Sequence, residues 1–209
     1  MINGQLGHPR GPLGHVVARN LAKNNLSLNE WMVDLLAVQP QDRVLEVGCG
    51  PGTALQRFVA QASQGQVVGL DLSAVALSQA VRRNRAAVAS GRFVVRIGDA
   101  AALDLRDGWF DKVASTHVLY FWQDPGRVYT ELSRVLAPGG RCATAYQEGP
   151  RMPAPAQASF LASGRKLYTV GQVERLYADA GFREVRTEAH EGPHGPEAFC
   201  TIGTKGLGG

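Results

Sequence analysis

The chain has 209 residues, 44% of them hydrophobic and 19% charged, the composition of one globular domain with a sizeable core rather than a disordered or fibrous chain. It has no apolar run near the ~18 residues of a membrane helix, and the opening MINGQLGHPRGPLGH lacks the apolar stretch of ~7–15 residues that marks a signal peptide. A net charge of +4 and a pI near 9.2 invite a nucleic-acid partner, yet the one basic cluster, Arg82, Arg83 and Arg85, has no aromatic residues interleaved and reads as a solvated helix face.

Residues 1–40 read as an N-terminal helical lid, and 41–205 as the body of a single compact domain. Ser27 and Glu30 form a capping-box pattern ahead of Trp31, Val33, Leu35 and Leu36. From about residue 42 to 145, short apolar runs alternate with helical patterns, as βαβ units around a parallel sheet do. The strands predicted there are Arg43–Val47, Gln66–Leu70, Arg92–Ile97, Lys112–Ser115 and Arg141–Ala145. Their low alternation fits strands covered on both faces.

Ser73 caps a helix running to about Val88, and Asp124 followed by Pro125 starts another that Pro138-Gly139-Gly140 ends. The segment 148–166, with Pro150, Pro153 and Pro155, reads as a loop or short helix over one end of the sheet. Thr169 and Gln172 make a second capping box, with Gly181 as the stop. Phe182–Glu188 and Glu197–Thr204 read as an antiparallel edge.

The strongest chemical signal is VLEVGCGPG at residues 44–52: an apolar strand running into Gly48, Gly50 and Gly52, with a helix pattern behind. Glycines at alternate positions let the backbone turn tightly and approach a ligand, and the following helix N-terminus attracts negative charge. The pyrophosphate fingerprint would need a glycine at 53, where Thr53 stands, so a nicotinamide enzyme is disfavoured. Asp71 lies 19 residues beyond Gly52, at the end of VVGLDLS, where a carboxylate can accept ribose hydroxyls. Asp99 in IGDAAAL either holds the exocyclic amine of a base, with the Ala100 amide nearby, or caps a helix.

These residues resemble the class I S-adenosylmethionine-dependent methyltransferase family. The matches are VLEVGCGPG, VVGLDLS, GDAAAL, FDKVASTHVLYFW and LSRVLAPGGR, in order over residues 43–145, and then YADAGFREV and EAFCTIGTKG. The resemblance implies a Rossmann-like three-layer α/β/α sandwich. Its seven-stranded, mostly parallel sheet has the order 3-2-1-4-5-7-6, with strand 7 antiparallel. It also implies S-adenosylmethionine as cofactor and S-adenosylhomocysteine as product. Glu46 and the backbone of Gly48, Cys49, Gly50 and Gly52 would approach the methionine part, Asp71 the ribose, and Leu72, Asp99 and Ala100 the adenine. Thr116 and His117 would lie beside the methionine part, near the transferred methyl.

A sulfonium methyl is already activated, so its transfer mainly needs alignment; a base is required only for a hydroxyl or protonated amine acceptor. His117 and Tyr120 are the candidate catalytic residues. His117 is either a base or a cofactor-contacting or structural residue, and Tyr120, Phe121 and Trp122 either wall the pocket or act chemically. His8, His15, His190 and His194 are weaker base candidates, and no metal site is expected, because Gly192, Pro193 and Gly195 break the alignment of His190 and His194 with Cys200.

The chain spends few residues outside the core fold, which favours a small-molecule acceptor. No NPPY-like or DPPY-like tetrapeptide and no nucleophilic cysteine stands in the STHVLYFW segment. The alternatives are an RNA- or protein-directed methyltransferase and a non-catalytic S-adenosylmethionine-binding module. Nucleic acid and membrane are not the expected partners. Cys49, Cys142 and Cys200 are too few and scattered for a disulfide framework, so a reducing cytoplasm is the expected location.

Overall fold

In a computed structural model, residues 26–192 and 195–207 are described, and among them seven strands form one sheet of order β3-β2-β1-β4-β5-β7-β6. The strands are β1 (Arg43–Val47), β2 (Gln66–Asp71), β3 (Phe93–Ile97), β4 (Phe110–Thr116), β5 (Leu136–Tyr146), β6 (Phe182–Gly192) and β7 (Gly195–Lys205). The first five are parallel, and β7 runs antiparallel between β5 and β6. The order reverses between β1 and β4, whose chain neighbours lie on opposite sides. A sheet of this kind opens a crevice at the carboxyl ends of those two strands.

The helices are α1 (Leu26–Leu36), α2 (Thr53–Gln61), α3 (Ala74–Arg83), α4 (Arg85–Ala89), α5 (Pro125–Val135), α6 (Ala154–Ala162) and α7 (Val170–Asp179). One sheet face is covered by Leu28, Met32 and Leu36 of α1, Leu55 and Phe58 of α2, and Leu77 and Ala80 of α3. The other is covered by Val128, Tyr129 and Leu132 of α5 and by Val173 and Tyr177 of α7. Each buried aliphatic or aromatic side chain contributes about 1.5–3 kcal/mol of burial free energy. Three buried hydroxyls share one partner: Tyr129, Tyr177 and Ser115 all reach Thr144 Oγ1, at 3.2, 2.8 and 3.1 Å. Among the described residues no helix is long and apolar enough to cross a membrane.

Several expectations need correcting. Residues 26–36 of the expected lid are a core helix, and Ser27 stands inside it instead of capping it, while Glu30 pairs with Arg57. Residues 1–25, with His8 and His15, lie outside the described set. The helix after Ser73 breaks at Asn84, whose side-chain amide donates to Ala80 O at 3.0 Å and ends α3. Helix α5 stops at Val135, before Pro138-Gly139-Gly140, because strand pairing with β4 already begins at Leu136. The caps at Ser73, Asp124 and Thr169 form as the sequence predicts, the last as a full capping box.

Candidate active site at the carboxyl ends of the first, second and fourth strands

The apolar β1 delivers the chain into Gly48, Gly50 and Gly52, with φ of 67°, 52° and 76°. All three sit in the left-handed region, but their surroundings differ. A Cβ on Gly48 would stand 2.3 Å from Val118 Cγ1, so this glycine is required by packing against the segment after β4. A Cβ on Gly50 would meet nothing within 4 Å. Gly50 is therefore where the loop faces open space, and a ligand can reach the backbone there.

The loop is fixed from several directions. Gly48 and Cys49 N–H both donate to Leu70 O, at 2.7 and 3.1 Å. Asp71, at the end of β2, accepts the Gly50 N–H on Oδ2 and the Ser73 N–H on Oδ1, each at 2.8 Å. Arg83 donates from Nη1 to Pro51 O and Thr53 Oγ1, both at 3.0 Å. The sequence gives no sign of this last contact. Arg83 belongs to the cluster read as a solvated face, and it reaches the loop only because α3 packs on the start of α2, where a Cβ on Gly52 would lie 2.8 Å from Ala80 Cβ.

The Cys49 thiol is turned inward, with Sγ 3.0 Å from where a Gly69 Cβ would stand. Burial and the nearby Glu46 and Asp71 carboxyls push its pKa well up, so it stays a thiol. Cys49 thus offers a ligand its backbone alone.

Two buried polar atoms without partners lie at the ends of adjacent strands. Glu46 Oε2 in β1 and Thr116 Oγ1 at the end of β4 have no hydrogen-bond partner among the described residues. Unpaired buried oxygens cost about 1–3 kcal/mol each, more if charged, and persist where a ligand completes them. Burial, reinforced by the Asp71 charge, raises the Glu46 pKa to about 8, so the carboxyl is protonated at neutral pH.

Beyond Asp71, the Leu72 side chain is 51% exposed, an apolar surface beside a carboxylate. Across the β2–β3 register, where Asp71 pairs with Ile97, the chain turns at Asp99. No helix follows, so Asp99 is not a helix cap. Its Oδ1 accepts the Ala101 N–H at 2.9 Å in a tight turn that leaves Ala100 buried. Asp71 and Leu72 at the end of β2 and Asp99 just past β3 thus stand at the carboxyl ends of two paired strands. The two carboxylates and the apolar surface suit a nucleoside, whose ribose hydroxyls and exocyclic amine donate hydrogen bonds and whose base packs on an apolar side chain.

His117 follows β4 with φ 54°, a conformation histidine tolerates better than most residues, and its N–H donates to Ala145 O at 2.9 Å. Burial lowers its pKa to about 4, so the ring is neutral. It stacks on Tyr120 with ring centroids 6.4 Å apart. Tyr120 is a tie between segments: its hydroxyl donates to Gln147 O at 3.0 Å and accepts the Gln147 N–H. With burial raising its pKa, the phenol is held as a neutral strut between the β4 and β5 ends. Phe160 of α6 packs edge-on to Tyr120 at 5.2 Å, and Arg165 covers Phe121 at 4.6 Å. The 148–166 segment therefore builds an aromatic wall beside His117. Of the outlying histidines, His190 packs against Trp31 and His194 lies outside the described residues.

A family model for a methyltransferase domain matches residues 45–144. The uncharacterized methyltransferase YdaC of Bacillus subtilis (strain 168) is 30% identical over 127 residues, covering 61% of this chain and 68% of YdaC. Phosphoethanolamine N-methyltransferase 3 of Arabidopsis thaliana is 29% identical over 170 residues, covering 80% of this chain. The chain spans 34% of that plant protein and 30–52% of several other relatives. In fold, it matches a SAM-dependent methyltransferase from Aquifex aeolicus with a TM-score of 0.73 at 19% identity, covering 91% of this chain and 98% of the other.

Proposed function

The chain belongs to the class I S-adenosylmethionine-dependent methyltransferase family, and on that premise we propose that it transfers a methyl group to a small-molecule acceptor by in-line displacement. S-adenosylmethionine supplies an activated sulfonium methyl, whose transfer is accelerated chiefly by alignment and exclusion of water.

One observation carries this reading. The glycine loop, open at Gly50, follows β1, and two buried oxygens without partners among the described residues, Glu46 Oε2 and Thr116 Oγ1, stand near the carboxyl ends of the paired strands β1 and β4. Glu46 and the Gly48–Gly52 backbone hold the amino-acid part of the cofactor, and the Asp71 carboxylate accepts the ribose hydroxyls. Leu72 covers the adenine, whose edge Asp99 and Ala100 read. Thr116 and His117 line the approach to the methyl.

A neutral His117 with a pKa near 4 is a weak proton acceptor at pH 7, which supports a lining role over a base. The hydroxyl of Tyr120, engaged on both its donor and acceptor sides, supports a positioning role. The aromatic wall of Tyr120, Phe121 and Phe160 favours an acceptor with apolar or planar surface. The plant relative's name specifies phosphoethanolamine, itself a small molecule. The three free, buried cysteines suit a reducing compartment, and we place the protein in the cytoplasm.

Calorimetry with S-adenosylmethionine and S-adenosylhomocysteine tests the site, and transfer of labelled methyl across a library of small phenols, amines and quinols tests the reaction. Saturable binding of both nucleosides and label on a small acceptor are the expected results. The absence of any heat at millimolar cofactor overturns the site, and label found only on RNA or protein overturns the acceptor class.

A further inference from the structure

Between Asp71 and Asp99 the chain carries five arginines, Arg82, Arg83, Arg85, Arg92 and Arg96, and no carboxylate. The fold gathers Arg82, Arg83, Arg85 and Arg92 around one cavity of about 470 Å³, where α2, α3 and α4 meet. No Asp or Glu lines it; the other polar lining side chains are Gln56 and Asn84. Some other arginines of the fold pair with carboxylates: Arg43 with Asp111, Arg57 with Glu30 and Asp34, and Arg134 with Asp107 and Glu131. Among the described residues, none of the four cavity arginines is in an ion pair.

Two of the four are held in place. Arg83 is fixed through Nη1 by Pro51 O and Thr53 Oγ1, and Arg92 through Nη1 by Val59 O at 3.1 Å. Each spends only that nitrogen, which leaves Nε and Nη2, and a guanidinium's planar fork matches the oxygens of a phosphate. Four cations around one concavity repel one another, and a bound anion replaces that repulsion with charge-assisted hydrogen bonds. The volume lies within the range of small-ligand sites. The four arginines line one concavity, whereas a nucleic-acid backbone requires an extended stripe.

We propose that this arginine-lined cavity is a binding site for a small phosphate-bearing ligand, separate from the methyl-transfer site.

Inorganic pyrophosphate is the probe, titrated calorimetrically into the full chain with and without saturating S-adenosylhomocysteine. One saturable site per chain that persists beside the nucleoside is expected. Arg82→Glu/Arg85→Glu changes two exposed side chains and should weaken pyrophosphate about tenfold per reversed arginine. The exposed Arg127→Glu, on α5, makes the same charge reversal at one site away from the cavity and should leave the affinity unchanged. Thermal melts of both variants establish that they fold. The site is overturned if pyrophosphate gives no saturable heat, if the double variant binds it like the parent, or if S-adenosylhomocysteine displaces it. A single-stranded RNA oligomer that binds through Arg82 and Arg85 and is not displaced by pyrophosphate also overturns it, in favour of a nucleic-acid surface.

Discussion

The Asp71 carboxylate accepts the Gly50 N–H at 2.8 Å, so one side chain ties the end of β2 to the most open point of the glycine loop. Asp71 is thus placed both to shape the loop and to receive a ribose. The two duties separate by mutation. Asp71→Ala should weaken cofactor binding by about 1.5–3 kcal/mol, the range for hydrogen bonds to a charged group. Asp71→Asn, which keeps one acceptor for the Gly50 N–H, should lose less. Calorimetric affinities for S-adenosylhomocysteine check the order; equal binding by all three proteins would place the ribose elsewhere.

Gly48 and Gly50 should fail in different ways. Gly48→Val drives a side chain into Val118 and should lower thermal stability sharply. Gly50→Val has room and pays chiefly the left-handed backbone strain of about 1–2 kcal/mol, but fills space the ligand needs. It should melt closer to the parent and bind cofactor far more weakly. Melting curves beside binding isotherms distinguish the two, and a Gly50→Val protein with parental affinity contradicts the proposed site.

Cofactor binding should release a proton through Glu46. The free site holds Glu46 protonated below its raised pKa of about 8. A cationic amino-acid tail favours the ionised form, so binding expels the proton and affinity rises with pH until about 8. Titrations at pH 7 in two buffers of different ionisation enthalpy measure the release. Glu46→Gln should abolish it and flatten the pH dependence; proton release that survives the substitution belongs to another group.

Stability should carry the mark of His117. Its pKa is about 4 in the fold and near the ordinary 6.5 when unfolded. Between those values the unfolded chain takes up a proton that the folded chain does not. Stability is therefore present above pH 6.5 and lost as pH falls toward 4, by up to about 3 kcal/mol. Glu46 acts oppositely: its raised pKa means its contribution is lost as pH rises from 4.5 to 8. The difference between parent and His117→Asn isolates the histidine, since asparagine tolerates the positive φ. Urea melts at pH 4.5 and 7 should show a smaller acid loss in the variant; parallel losses would mean the ring is not buried neutral.

Tyr120→Phe should cost about 1–3 kcal/mol by leaving the Gln147 N–H and C=O without their partner. If the phenol positions and does not transfer protons, the limbs of the pH–rate profile keep their midpoints. A lost limb would make Tyr120 chemical.

The strand order came only from the resemblance to the family, while the sequence by itself determined the existence of the strands, the glycine loop after β1 and the acidic end of β2. Those features are written in short-range patterns: buried parallel strands as apolar runs, caps as Ser73, Asp124 and Thr169, and a tight backbone approach as alternate glycines. Even so, the β5 start and the α3 break escaped, because pairing with β4 and the Asn84–Ala80 bond outweighed local signals. Tertiary structure alone decided how the site works. Only the packing of Val118 against Gly48 and of Ala80 against Gly52 leaves Gly50 as the open glycine of the loop. Burial makes Glu46 an acid and His117 a neutral ring, and the β5 end at Gln147 turns Tyr120 into a strut. The α2–α3 contact brings Arg83 to the loop and turns a run of arginines into a cavity. Each of these depends on desolvation or on a partner distant along the chain, and neither is encoded in a residue's immediate neighbours.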